Sequence, residues 1–186
     1  RFQTKGTGAY DIWSEQAHLD VSDIIPEELI PSSALFPEII NYSAPDTLST
    51  LVSSFQCLPS VITVGNYTND SGYVNNLGNW VSSNTTRGSI SPNTSKGPTR
   101  IGLQKPDIAA SGDITLSACR LDFLPFLDDS VLAYGGLHKG NGGTSMSSPV
   151  IAGIAALFLE KCNLSTPQQF KEAIINSAYT DAFTGT

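Results

Sequence analysis

The clearest hydrophobic pattern lies near the C-terminus, in Pro149–Cys162, PVIAGIAALFLEKC. It is apolar on nearly every face from Val150 to Leu159, which a surface helix would not tolerate. It is too short to span a bilayer and lacks the β-branched bias of a strand. The expectation is a helix buried in a sizeable core, with Ala152, Gly153, Ala155 and Ala156 letting neighbours approach. A second helix is predicted after it, with Ser165 as N-cap, Pro167 in the first turn and Gln168 three residues after the cap. Phe170, Ala173 and Ile174 would share one face of that helix. Upstream, Val61-Ile62-Thr63-Val64, closed by Gly65, has the β-branched look of a buried strand. Ile108-Ala109-Ala110 and Ile114-Thr115-Leu116 are brief apolar segments around Gly112.

The remaining stretches carry weaker periodicity. Asn66–Pro98, rich in Asn, Ser, Thr and Gly, implies loops and short antiparallel strands at a surface. Arg120–Tyr134, with Pro125 in its middle, reads as a loop or hairpin. Residues 1–56 differ in character from the rest of the chain. Phe2, Tyr10 and Trp13 around Gly6 and Gly8 suit a hairpin or sheet edge, and Pro26, Pro31, Pro37 and Pro45 forbid long helices over Asp20–Pro45. Ser49–Phe55 suits a short strand or a helical turn. The expected organisation is a β-rich peripheral segment or insertion over 1–56 and a second region over 57–186.

Composition narrows the classes. The chain has 186 residues, 40% hydrophobic and 15% charged, which is one globular domain's worth. Ten Lys+Arg against seventeen Asp+Glu give a net charge of −7 and no basic stripe, so nucleic acid and anionic membrane are poor partners. Cys57, Cys119 and Cys162 form no metal-ligand spacing with His18 and His138, and are expected to be small buried apolar residues. Asp128-Asp129 reads as a solvated turn rather than a calcium site, so no cofactor and no metal are expected. Sequons at Asn41, Asn66, Asn69, Asn84, Asn93 and Asn163 are the chance product of this composition. Acidic balance, few cysteines and abundant Asn, Ser, Thr and Gly point to an exported protein, secreted or periplasmic. A chain that starts at Arg1 rather than Met is expected to be a processed piece.

Candidate chemistry concentrates at Gly143-Thr144-Ser145-Met146-Ser147-Ser148-Pro149, where a glycine-rich loop enters the apolar helix. Glycines before Ser145 let the backbone approach a substrate. A helix beginning there presents unpaired N–H groups and a positive dipole end, suited to an oxyanion. The bland alternative is that Ser145 only caps the helix. The segment is neither a G-x-S-x-G elbow nor S-x-x-K, since Ser147 and Ser148 stand where glycine and lysine would be needed.

GTSMSSPVIAGIAAL, Gly143 to Leu157, resembles the nucleophile segment of the subtilisin-like serine proteases. Pro59–Gly65 resembles the strand beside the specificity pocket of that family. Ser95–Thr99 with Lys105–Ala110 resembles the segment between that strand and the nucleophile, and Thr166–Ala178 the helix after it. The resemblance covers about residues 57–180. It implies a three-layer α/β/α fold with a mostly parallel sheet, of which this is the C-terminal portion. It implies Ser145 as nucleophile, its own N–H as an oxyanion donor and Thr144 as oxyanion support, acting on a polypeptide substrate through an acyl-enzyme. The substrate-binding residues are left unassigned.

The family's Asp, His and oxyanion-hole Asn motifs do not occur here. His138, seven residues before Ser145, and Asn141 beside it are not the family's base or oxyanion donor, and His138 reads as a solvent-exposed loop residue. Ser111 stands where a proline is common, which puts the loop shape there in doubt. The expectation is a serine endopeptidase whose Asp, His and Asn come from an upstream segment absent from this chain, which alone would be nearly inactive. Two alternatives stand beside it. One is a pseudoprotease. The other is a polypeptide- or glycan-binding module using Tyr10, Trp13, Tyr67, Tyr73 and Trp80 as stacking platforms.

Overall fold

A computed structural model describes residues 5–8, 12, 27–42, 44, 46, 48–83 and 85–182. The chain divides into two compact units, Arg1–Thr47 and Leu48–Thr186. In the first, the described elements are two 3-10 turns, Glu27–Leu29 and Pro37–Asn41. Pro37 opens the second turn, where its missing N–H would have had no partner in any case. The described part of 1–56 contains no strand, and most of the proposed hairpin over Arg1–Trp13 lies outside the described residues. Ser54–Cys57 forms a 3-10 turn, one of the two forms expected near Ser49–Phe55.

Among its described residues, the second unit has six strands and two α-helices. β1 (Val64–Thr68) and β4 (Ile108–Asp113) pair in parallel, from Val64 opposite Ile108 to Tyr67 opposite Ser111, with a register shift before Thr68. Between them, β2 (Gly72–Val74) and β3 (Trp80–Ser82) form an antiparallel hairpin. β5 (Thr115–Ala118) pairs antiparallel with β6 (His138–Asn141). Then come α1 (Thr144–Lys161) and α2 (Pro167–Ser177).

The expected strand at Val61–Val64 starts three residues later than anticipated and runs through Gly65. The reason is the competing partner of Thr63, whose N–H donates to Asp107 Oδ2 at 2.7 Å while its carbonyl accepts from Asp107 N–H at 2.8 Å. The β-branched run is therefore held extended, but the regular ladder begins at Val64. Ser111 lies within β4 opposite Tyr67, so the missing proline falls in a strand and not in a loop.

The core sits where α1 and α2 meet the parallel pair. Ala110, Ile151, Phe170 and Ile174 are buried, with Ile62, Val64, Ile108, Ala155 and Phe158 packed around them. The Phe158 and Phe170 rings lie 5.3 Å apart and tilted, which fastens α2 to α1. Only Ser147 and Ile151 of α1 are fully buried, while Val150, Ile154, Leu157 and Leu159 are 40–68% exposed. This corrects the expectation of a helix enclosed on all sides. A helix packed on a two-stranded parallel sheet buries one stripe, and the rest of its apolar surface has no covering layer among the described residues.

Two further expectations shift. The cap of α2 is Thr166 with Gln169, not Ser165 with Gln168: Thr166 Oγ1 accepts from Gln169 N–H at 3.3 Å, and Gln169 Oε1 accepts from Thr166 N–H at 2.8 Å. Pro167 decides this, since its fixed φ and absent N–H suit the first helical position, which makes the preceding residue the cap. Ala173 is exposed, so Phe170 and Ile174 alone form the buried stripe. The Asn66–Pro98 region is not wholly surface either. Asn66, Thr68, Asn75, Ser91 and Thr94 are buried, which leaves the Asn66 side chain no room for a glycan.

Candidate active site

The turn that delivers Ser145 is held by backbone geometry on one side and a buried polar knot on the other. Gly143, the N-cap of α1, sits at φ 118°, a conformation residues with a Cβ rarely adopt. Its N–H donates to Gly112 O of β4 and its carbonyl accepts from Met146 N–H, each at 2.9 Å. Ser145 is the second residue of α1, so its N–H has no acceptor within the helix and points out of the positive end. Its side chain is exposed, and no hydrogen bond engages the hydroxyl among the described residues. Pro149, one turn further on, has no N–H to give the Ser145 carbonyl.

Ser147 faces the other way. It is fully buried, with Oγ 3.0 Å from Ala110 O and 3.2 Å from Asn66 Oδ1. Asn66 Nδ2 in turn donates to Asn93 Oδ1 at 3.0 Å. Nearby, Ser91 Oγ donates to Asp113 Oδ2. These bonds tie the first turn of α1 to β1 and β4, so Ser145 is presented by a rigid junction.

Ser145 opens onto a cavity of about 260 Å³. Thr144, Ser145 and Ser148 of α1 line it together with Val61, Ile62, Thr63 and Val64, and Val52, Gln56, Ser95 and Pro106 complete it. No charged side chain lines it among the described residues. Ser148 Oγ donates to Thr144 O at 3.1 Å and so steadies the helix turn beneath the serine.

Behind the Val61–Val64 wall lies a cluster of three charges. Lys105 Nζ is 2.6 Å from Asp107 Oδ2, and Lys171 Nζ is 2.8 Å from Asp107 Oδ1, all three side chains being at most 12% exposed. Burial pushes the Asp107 carboxyl upward, but hydrogen bonds from Lys105, Lys171 and Thr63 N–H outweigh it and hold the group below the usual carboxylate range.

The structure brings Ser145 and Thr144 together on the cavity, and neither His138 nor Asn141 is among its lining residues. His138 is exposed, though it begins strand β6 rather than lying in a loop. Asn141 Oδ1 accepts from the adjacent Gly142 N–H at 3.0 Å. His18 lies outside the described residues. The Ser130 hydroxyl and the Ser130 N–H, the latter donating at 2.7 Å, hold the exposed Asp128 carboxyl below the usual carboxylate range, and Asp129 accepts from Asn76. No group of three or more His, Cys, Asp or Glu arranged to hold a metal occurs among the described residues. The cysteines are free, and none is buried: Cys57 and Cys119 are half-buried and Cys162 is exposed, against the expectation for all three. Of the proposed stacking aromatics, Tyr73 is half-buried with its hydroxyl on Val131 O, Tyr67 is half-buried, and Trp80 is exposed. Tyr10 and Trp13 lie outside the described residues.

Sequence reasoning missed the buried knot of Asn66 and Ser147, the cavity wall from Val52, Gln56 and Ser95, and the charge cluster. Lys105-Pro106-Asp107 was visible as a segment, but nothing local pairs it with Lys171 on a helix much later in the chain.

With this geometry in place, comparison with known proteins is direct. The Subtilase family (peptidase S8) model matches residues 39–186. The chain belongs to the subtilase family, which carries a serine-peptidase kind of function. The match begins well before residue 57, where the motif resemblance starts. The chain is 38% identical over 85 residues to serine protease AprX of Bacillus subtilis, covering 45% of this chain. It is 34% identical over 94 residues, half of this chain, to the uncharacterized protein aq_aa18 of Aquifex aeolicus. The chain spans 19% and 42% of the lengths of those two relatives. Among solved structures, a cold adapted subtilisin-like serine proteinase aligns with 83% of this chain and 46% of its own, at 23% identity and a TM-score of 0.44.

Proposed function

We propose that this chain is the C-terminal part of the catalytic domain of a serine endopeptidase. Peptide bonds would be cleaved through an acyl-enzyme on Ser145. The observation that carries this reading is the placement of Ser145: an exposed, unengaged hydroxyl at the positive end of α1, on a junction locked from below, at the mouth of an uncharged cavity. Ser145 Oγ attacks the scissile carbonyl carbon, and the carbonyl oxygen becomes an oxyanion that accepts from Ser145 N–H, with Thr144 in support. The hydroxyl proton passes to a base and then to the leaving amine, and water hydrolyses the ester in the second half-reaction.

The base, its orienting carboxylate and the oxyanion-hole Asn come, on this reading, from a further segment of the same protease. Two observations favour that. No acid–base pair stands at the serine among the described residues, and the apolar surface of α1 at Ile154 and Leu157 is left open. Without a base the serine loses several orders of magnitude in rate, so the chain by itself is nearly inactive. The substrate is a polypeptide, and the protein is an exported one. No helix is long and apolar enough to cross a membrane among the described residues.

The test is labelling of the intact protein with a fluorophosphonate, read by intact mass and peptide mapping. A single adduct on Ser145, lost on denaturation and absent from Ser145→Ala, is expected. An intact protein with no adduct would overturn the peptidase reading in favour of a pseudoprotease that binds polypeptide without cutting it.

A further inference from the structure

We propose that Lys105, Asp107 and Lys171 form a positioning cluster that sets the shape of the Ser145 cavity and thereby which substrate side chains it accepts. The inference rests on the peptidase reading of Ser145 and adds selectivity to it.

Two ammonium groups and one carboxylate taken out of water are an expensive way to fill space, and a pair of apolar side chains would do as well for packing alone. What distinguishes this cluster is where its remaining hydrogen bonds go. Lys105 Nζ donates to Val61 O at 2.7 Å. Lys171 Nζ donates to Pro59 O at 2.7 Å and to Val61 O at 3.1 Å. Asp107 Oδ2 accepts from Thr63 N–H at 2.7 Å. All four bonds end on the backbone of residues 59–63.

That stretch precedes the ladder, which begins only at Val64. Its backbone is therefore held in good part by charge, together with Thr63 O, accepting from Asp107 N–H, Val61 N–H, donating to Leu58 O, and Thr63 Oγ1, donating to Gln56 O. Val61, Ile62 and Thr63 also line the cavity onto which Ser145 opens, and Pro106, between two members of the cluster, lines it too. The charges stay behind the wall and the lining stays neutral. The cluster touches neither Ser145 nor the space a substrate would enter, so its three members are positioning residues.

Lys171 is the member to change, because it lies on α2 with its side chain 12% exposed, whereas Lys105 is fully enclosed. In the intact protein, Lys171→Met keeps the aliphatic stem and removes the charge, and Lys171→Arg restores a cation. Amide exchange is read by mass spectrometry over 59–64, and the rate of Ser145 phosphonylation is read with an ethyl and a phenyl fluorophosphonate. Expected for Lys171→Met are faster exchange at 59–64 with α1 unchanged, and a shift of about tenfold in the ratio of the two rates, the lower end of what a pocket contact discriminates. Lys171→Arg should return the ratio most of the way. A merely structural lysine would slow both probes equally, so an unchanged ratio, or unchanged exchange at 59–64, overturns the inference while leaving the nucleophile intact. A wild-type protein whose Ser145 reacts with neither probe removes the peptidase reading and this inference with it.

Discussion

Gly112→Ala should loosen the junction that presents Ser145. A Cβ built at position 112 would overlap Ser147 Oγ outright, and it would lie 2.5 Å from Asn66 Oδ1 and 2.8 Å from Gly143 O. None of these can swing aside. Ser147 and Asn66 are fully buried, and the Gly143 carbonyl is fixed by Met146 N–H. Overpacking of this kind costs about 1–3 kcal/mol. Displacing the Ser147 hydroxyl also strands Ala110 O or Asn66 Oδ1, a further ~1–3 kcal/mol for a buried group left unpaired. The sum, about 2–6 kcal/mol, is a large part of a typical domain stability of about 5–15 kcal/mol.

Ser147→Ala alone should cost about 1–2 kcal/mol, because it removes the hydroxyl without adding bulk. In the double variant the worst overlap is gone while Asn66 still crowds the new methyl. Its destabilisation should fall short of the sum by about 1 kcal/mol. Urea unfolding of the four proteins, followed by tryptophan fluorescence, supplies the cycle. A Gly112→Ala midpoint equal to the parent's, or strictly additive effects, would refute the reasoning.

Acid should act on the cavity wall through Asp107. Asp107 is held below the ordinary carboxylate range, so its contribution to stability is complete above that range and is lost as pH falls through its depressed value. The unfolding midpoint of the parent should hold from neutrality to about pH 4 and then drop, whereas Asp107→Asn should start lower and lack that share of the drop; identical acid limbs would contradict the assignment. At the start of α2, Thr166→Ala removes a reciprocal cap and should cost about 1 kcal/mol in thermal unfolding, while Ser165→Ala should be near neutral. A larger loss at Ser165 would place the cap one residue earlier.

The elements that were legible in the sequence are those whose cause is local. The apolar run after Pro149 is helical whatever surrounds it, Pro167 starts α2, and the Gly142-Gly143 pair before Thr144 and Ser145 marks a turn into a helix with a serine at its head. The extended character of Val61–Val64 was legible from its β-branching in the same way. The first residue of the ladder was not, because Asp107 takes the Thr63 N–H and Asp107 lies on another segment. Nor was the burial of Asn66 and Thr68, in a stretch whose composition reads as surface, since the side chains that partner them come from Thr85, Asn93, Thr94 and Ser147. The exposure of α1 has the same origin: its side chains are apolar all round, and how many are covered depends on the layers opposite.

Sequence by itself therefore determined the local backbone and singled out Ser145 as the candidate nucleophile, because propensity, turn chemistry and a contiguous motif act within a few residues. Tertiary structure alone decided the cavity, its wall and the charges behind it, because hydrogen bonds and ion pairs among residues 59–63, 105–107 and 171 exist only once β4 and α2 have been brought against the start of β1.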